Sequence, residues 1–221
     1  MSLLTLEQPL AERLATEAQT NQAITQTNGV SDHTKFQFPR QGEWTYEHWL
    51  HFPNDSWKYE IIDGVLYMSP PPTINHQDVS GELFTRMRVF ARDNKLGTIL
   101  AAPCGVRLPT QSVPVEPDIL FVRRERRHII EERYVEGAPD LVVEVLSRSN
   151  AEYDRTTKYR QYELAGVAEY WIVNYWDETV AIYLMVSDRY QLTHTYQRDE
   201  TAVSQVLTGF QIAVADLFDL K

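Results

Sequence analysis

Apolar and polar positions divide the chain into a polar leader and a patterned remainder. Gln19 to Asn28 is almost wholly polar, rich in Gln, Thr and Asn, and offers nothing to a core. Leu3 to Ala18 has helix-compatible spacing but is short and weakly apolar. Residues 1–40 are therefore expected to be a flexible polar leader, and residues 41–221 the folded domain. Order should begin near Trp44, with Thr45 placed to cap a short helix that carries Trp49 and Leu50 and stops at Pro53. Tyr59 to Met68 reads as two strands joined at Asp63-Gly64, a dipeptide suited to a tight hairpin turn, and Pro70-Pro71-Pro72 ends them. From Asn75 to Asn94 the apolar residues Val79, Leu83, Met87 and Phe90 recur at helical spacing, which predicts an amphipathic helix ending before Gly97.

Three strands are expected in the centre: Thr98–Leu108, Asp118–Val122 and Leu141–Leu146. The last two are apolar on both pleat faces, as strands buried in a mixed or parallel sheet are. The charged stretch between them, Arg123 to Gly137, predicts a loop with a helical turn. After a turn at Ser147–Ala151, a helix is expected from Tyr153 to Ala165, stopped by Gly166. Glu169–Asn174, Val180–Met185 and Tyr190–Tyr196 read as a strand meander, and a stretch holding Leu207, Phe210, Val214, Leu217 and Phe218 closes the domain. The expected class is α/β (α+β), with a central mixed β-sheet flanked by helices.

Composition narrows the setting. The chain has 221 residues, enough for a sizeable core without staples, and its single cysteine, Cys104, excludes an intramolecular disulfide. No apolar run approaches the roughly 18 to 20 residues needed to cross a bilayer, and the start lacks a signal-peptide pattern. A cytoplasmic protein with no membrane partner is expected. The net charge of −10 argues against tight non-specific DNA binding, which rests on Lys and Arg neutralising phosphates. It leaves room for a local basic strip and for carboxylate-based metal chemistry.

The chemistry concentrates on two acids inside strand-like apolar runs. Asp118 opens Pro117-Asp-Ile-Leu-Phe-Val122, and Glu144 interrupts Leu141-Val-Val-Glu-Val-Leu146. By strand alternation Val142, Glu144 and Leu146 share a face, so a carboxylate there calls for a compensating cation. A buried salt bridge to an arginine, or a place at the end of an edge strand, would satisfy one such acid. Two acids on neighbouring strands favour a divalent ion with hard oxygen ligands, Mg²⁺ or Mn²⁺. If the following helix folds back over the sheet, Lys158 reaches about the same depth as Glu144, roughly 7 to 8 Å back from the strand end. Arg155 and Tyr162 are expected beside it on the same helix face. A solvated helical lysine is the alternative.

Several of these segments together resemble a family. Tyr59-Glu-Ile-Ile-Asp-Gly64, Ser69-Pro70 followed by His76, Glu116-Pro-Asp118, Val142-Val-Glu-Val-Leu-Ser147, Lys158 with Tyr162, and Gly166-Val-Ala-Glu-Tyr-Trp-Ile-Val173 look like the Uma-type family of bacterial proteins, proposed restriction endonucleases. The resemblance spans about Trp44 to Leu217. It implies a PD-(D/E)XK nuclease core, in which Asp118 is the motif aspartate and Glu144 the acid of the second motif. Leu146 stands where the motif lysine would be, so the resemblance moves that role to Lys158 on the next helix. It also implies the Val145 carbonyl as a further metal ligand, DNA as substrate, 5′-phosphate and 3′-hydroxyl products, and a homodimer. Glu60 and His76 match family positions as possible site-lining residues, though a strand-end salt bridge and a helix-start cap would explain them equally. The competing function is a non-catalytic interaction or regulatory protein that keeps the fold.

Other charged and reactive residues read as ordinary. Arg123-Arg-Glu-Arg-Arg-His128 fits a solvated tip or a phosphate contact, and so do Arg86, Arg88, Arg92 and Lys95 on the long helix. Tyr170, Trp171 and Tyr175 read as core. Cys104 has no evident base partner among the scattered histidines His76, His128 and His194, and no zinc or phosphate-loop spacing is present.

Overall fold

The computed structural model describes residues 39–49, 51–52, 57–110, 114–148 and 151–219. The expected leader lies outside the described residues up to residue 38, as do Leu50 and the helix stop at Pro53. The chain divides into two units, Met1–Pro71 and Pro72–Lys221. In the first, helix α1 (Tyr46–Trp49) precedes strands β1 (Lys58–Ile62) and β2 (Val65–Ser69). The two strands pair antiparallel with Ile62 opposite Val65, so the loop is Asp63-Gly64 alone. Both loop residues have positive φ, 51° and 75°, as a type I′ turn requires. Trp44, Tyr59, Ile61, Ile62 and Leu66 are buried, and the Trp49 indole donates to the Tyr59 carbonyl at 3.1 Å.

The second unit is built on a mixed sheet. Helix α2 (Ile74–Asp93) is capped by Thr73, whose hydroxyl accepts from the His76 N–H at 3.3 Å. Strands β3 (Gly97–Ala101) and β4 (Gly105–Arg107) follow, then β5 (Ile119–Arg123), β6 (Tyr134–Glu136) and β7 (Leu141–Val145). After them come β8 (Glu169–Asn174), β9 (Thr179–Val186), β10 (Arg189–Tyr196), β11 (Thr201–Val203) and β12 (Gln211–Ala213). The six-stranded sheet has the order β10-β9-β8-β7-β5-β3. Only β7 and β8 run parallel; the other neighbours are antiparallel. The expected single strand Thr98–Leu108 is in fact two, because Pro103 has no N–H to give a ladder and the chain leaves the sheet there. Its second half, β4, pairs instead with β6.

The two faces of the sheet are covered differently. On one, Val79, Leu83, Met87 and Ala91 of α2 join Ile119, Phe121, Leu141, Val143, Val145, Trp171 and Val173 in one apolar cluster. Residues from the C-terminal stretch, among them Leu207, Phe210 and Leu217, complete it. Glu169 ties that stretch to β8. Although fully buried, it accepts hydrogen bonds from the Trp171 indole, the Ser204 hydroxyl and the backbone N–H groups of Gln205 and Val206. The other face carries Glu144 and a layer of tyrosines. There Tyr159 lies 5.1 Å, centroid to centroid, from both Tyr183 and Tyr190, and Tyr162 lies 5.2 Å from Tyr170.

A composite helical run covers this second face: α3 (Ala151–Tyr153), a π-helical segment (Asp154–Lys158) and α4 (Tyr159–Ala165). It ends at Gly166 in the left-handed region at φ 79°, and the Val167 N–H returns to the Tyr162 carbonyl at 3.0 Å. Gly97 is required for a different reason. A Cβ there would lie 2.2 Å from the Val122 carbonyl oxygen, so β3 could not approach β5 as it does. Gly166→Ala should therefore lose about 1 to 2 kcal/mol, the left-handed penalty alone. Gly97→Ala should lose clearly more in urea unfolding, since a backbone atom must move; equal losses would contradict this assignment.

Candidate active site

Asp118 stands one residue before β5, at the end of its ladder with β7. The register pairs Ile119 with Val143, so one step further sets Asp118 across from Glu144. Directly opposed residues of antiparallel strands have Cα atoms about 4.5 to 5.5 Å apart, and alternation turns both side chains to the same face. The Val145 N–H points toward β5 where the ladder has ended, and Asp118 Oδ2 accepts it at 2.8 Å. On the edge side the ladder persists, with the Ala102 N–H donating to the Asp118 carbonyl at 3.0 Å. The aspartate is thus held by backbone on both sides.

Glu144 is only 2% exposed. Its Oε1 accepts from Lys158 Nζ at 2.9 Å and from the Tyr162 hydroxyl at 2.7 Å. Lys158, equally buried, lies 3.7 Å from Asp154 Oδ1, and its ammonium stands 5.5 Å above the Tyr153 ring centre. The predicted depth match between Glu144 and Lys158 is realised, and the lysine is not solvated. Arg155 is not on that face: it is exposed, and Asp154 is buried beside Lys158 instead. The wider turn of the π segment rotates the residue three before Lys158 away and brings the one four before it alongside. Asp154 was legible only as an acid four residues before a lysine. Its backbone carbonyl takes the Tyr170 hydroxyl at 3.0 Å. Burial, then the charge of Glu144, keeps that phenol protonated, with its pKa far above the ordinary value.

His76 joins the site from the first turn of α2. The expected cap role belongs to Thr73, and the imidazole is free to reach across: Nε2 lies 3.2 Å from Asp118 Oδ2. Burial by itself lowers the His76 pKa. The hydrogen bond to Asp118 and the charges of Asp118 and Glu144 together outweigh it and hold the group above its ordinary value. Glu60 belongs to the first unit, buried on β1 with a carboxylate oxygen 3.7 Å from Lys58 Nζ. Cys104 is held in the thiol form by burial and by the charge of Glu116, consistent with no nucleophilic role.

The groups suited to a hard cation are the Asp118 and Glu144 carboxylates and the Val145 main-chain carbonyl, all oxygen donors. Among the described residues no three side chains of His, Cys, Asp or Glu are grouped to hold an ion by themselves. A metal here would therefore need the main-chain oxygen and solvent.

Two outcomes are expected in metal-free buffer. Lys158→Met should cost about 3 to 5 kcal/mol, because it strands a buried carboxylate, and the added Glu144→Gln should recover much of that loss in denaturant titrations. His76 has a folded-state pKa above its unfolded value of about 6.5, so its contribution is complete below that pH and fades as pH rises through the folded value. The stability difference between the parent and His76→Phe should accordingly shrink from pH 6 to pH 9; a difference that grows would overturn the assignment.

Comparisons with known proteins bear on the family and the fold. The family model described as "Putative restriction endonuclease", Uma2, matches residues 45–215. A crystal structure of a "putative nuclease belonging to DUF820" from Anabaena variabilis ATCC 29413 superposes with a TM-score of 0.65 at 18% identity, covering 79% of this chain and 97% of that one. At that identity the likeness establishes a shared fold. No curated protein matches the chain. With the family model spanning the hairpin, the sheet and the candidate site, the chain belongs to the Uma2 putative restriction endonuclease family.

Proposed function

We propose that this protein is a metal-dependent endonuclease that hydrolyses phosphodiester bonds in DNA. The observation that carries the proposal is the pairing of two acids, Asp118 and Glu144, at opposed positions of adjacent strands, with Lys158 on the second of them. Family membership supports the reaction class. Asp118, Glu144 and the Val145 carbonyl would hold Mg²⁺ or Mn²⁺, which supplies positive charge at the phosphate oxygens and lowers the pKa of a bound water.

The remaining work falls to side chains. The Val145 N–H and His76 fix Asp118, and Tyr162 fixes Glu144, so neither carboxylate has to be ordered when substrate arrives. Lys158 carries the ammonium that stabilises negative charge building on the phosphorus-bound oxygens. In the balanced reaction, water oxygen bonds to phosphorus, the P–O3′ bond breaks and the departing oxygen takes a proton. A homodimer would place two such sites for cutting both strands. Glu60 is assigned a site-lining role on family position alone.

One observation favours the rival reading, a non-catalytic interaction or regulatory protein. Glu144 already has a cation in Lys158, so the acid that asked for a metal is satisfied without one. As for compartment, no helix among the described residues is long and apolar enough to cross a membrane, and a cytoplasmic place remains part of the proposal.

The deciding experiment is cleavage of plasmid and single-stranded DNA in Mg²⁺ or Mn²⁺, with Asp118→Ala and Glu144→Ala as controls. Metal-dependent cutting that falls at least a hundredfold in both variants is expected. Absence of cutting on every substrate, together with no metal binding by calorimetry, would favour the rival.

A further inference from the structure

Two basic segments that are separate in sequence meet at the end of the sheet away from Asp118. The 3₁₀ helix Arg124–Ile129 has three residues per turn, so its arginines sort onto alternate faces. Arg123, just before it, and Arg126 turn inward to the buried Asp140: the Arg126 guanidinium lies 2.9 Å from its Oδ1, and Arg123 Nε lies 3.6 Å from the same oxygen. Arg124 and Arg127 turn the other way. Arg88 and Arg92, four apart, form one stripe at the end of α2, and Lys95 follows just past the Asn94 C-cap, in the left-handed region at φ 56°. Arg86 is excluded from that stripe by its ion pairs with Glu82 and Asp216.

These five cations line one cavity of about 420 Å³ over the start of β3, and among the described residues no carboxylate lines it with them. Three are partly engaged. Arg88 donates to the Ile99 carbonyl at 2.9 Å, Arg127 to the Ile130 carbonyl at 3.0 Å, and Arg92 pairs with its neighbour Asp93. Lys95 and Arg124 are exposed, and their side chains have no partner among the described residues. In a chain of net charge −10, five cations gather around one concavity and, among the described residues, only Arg92 has a carboxylate partner, so they repel one another unless an anion joins them.

We infer that this cavity holds backbone phosphates of the DNA substrate, as an anchor separate from the cleavage site. The inference rests on the nuclease reading for the identity of the polyanion. Gly97, which lines the cavity, pairs with Arg123, whereas Asp118 lies at the other end of the same ladder, five residues away. At about 3.3 Å per residue that is roughly 17 Å, or about five base pairs of duplex at 3.4 Å each. The site therefore grips DNA to one side of the scissile bond and sets the shortest flank that is held well.

The test is a fluorescence-anisotropy titration of a long duplex onto the full chain in chelator, across a salt series. It compares the parent with Lys95→Glu/Arg124→Glu and with the milder Lys95→Gln/Arg124→Gln. Circular dichroism melting shows that each variant remains folded. Affinity should fall at least tenfold in the glutamate pair. The slope of log K against log salt should drop by about 2 in both pairs, at about 0.9 for each phosphate that is no longer neutralised. Unchanged affinity and slope in both pairs would overturn the anchor, and so would a parent that binds no duplex. Inorganic phosphate or ATP bound in a variant-sensitive way, with duplex affinity untouched, would assign the cavity to a small phosphate ligand and overturn it too. A parent whose binding responds to the variants but which never cuts in Mg²⁺ or Mn²⁺ would sustain the anchor and sink the nuclease reading. A parent that cuts while its binding ignores both pairs would do the reverse.

Discussion

A carboxylate in the middle of a buried strand must have donors or a cation delivered to it, and the Glu144–Lys158 contact is how this protein meets that demand. β7 lies inside the sheet, between β5 and β8, and Glu144 cannot turn to solvent there. The chain that leaves β7 has to return over the same face at the right depth, which the helical run from Ala151 to Ala165 does. Its π segment is the local adjustment that sets Lys158 and Asp154 together, one on Glu144 and the other behind it. A pair this deeply buried contributes little net stability, since desolvation offsets most of the attraction. Breaking it is costly, however, so the pair fixes where the helix may lie.

Two buried glutamates on adjacent strands show what separates a structural acid from a candidate catalytic one. Glu169 is satisfied by an indole, a hydroxyl and two backbone N–H groups, all neutral donors that join β8 to the C-terminal stretch. Its charge is spread over a rigid set of hydrogen bonds and has nothing left to recruit. Glu144 faces the opposite side, and a titratable ammonium and a phenol meet it on one oxygen. Asp118 and His76 lie at the same end of the ladder, so the charged groups of the second unit's polar face converge on one place.

The placing of cations follows the same division. Arginines directed inward serve Asp140 and the Ala138 carbonyl and hold the Arg124–Ile129 turn against the start of β7. Those directed outward gather around the cavity over the start of β3. The acidic balance of the whole chain thus conceals a local basic surface, and net charge was a poor guide to where an anion could be received.

What was legible in the sequence was whatever depends on neighbours along the chain. The Asp63-Gly64 turn, the stripe of Val79, Leu83 and Met87, the apolar runs of β5 and β7, and the stop at Gly166 are all written in local spacing, and each stands where the pattern put it. Asp118 and Glu144 stood out for the same reason, as charges that break an apolar run. Tertiary structure decided the rest. The partner of Glu144 among nearby cations, the exchange of Arg155 for Asp154, the reach of His76 to Asp118 and the meeting of two arginine runs all depend on long-range placement. Periodicity names the face of an element but not what that face meets, because strand register and the path of the returning helix are settled by packing across the sheet.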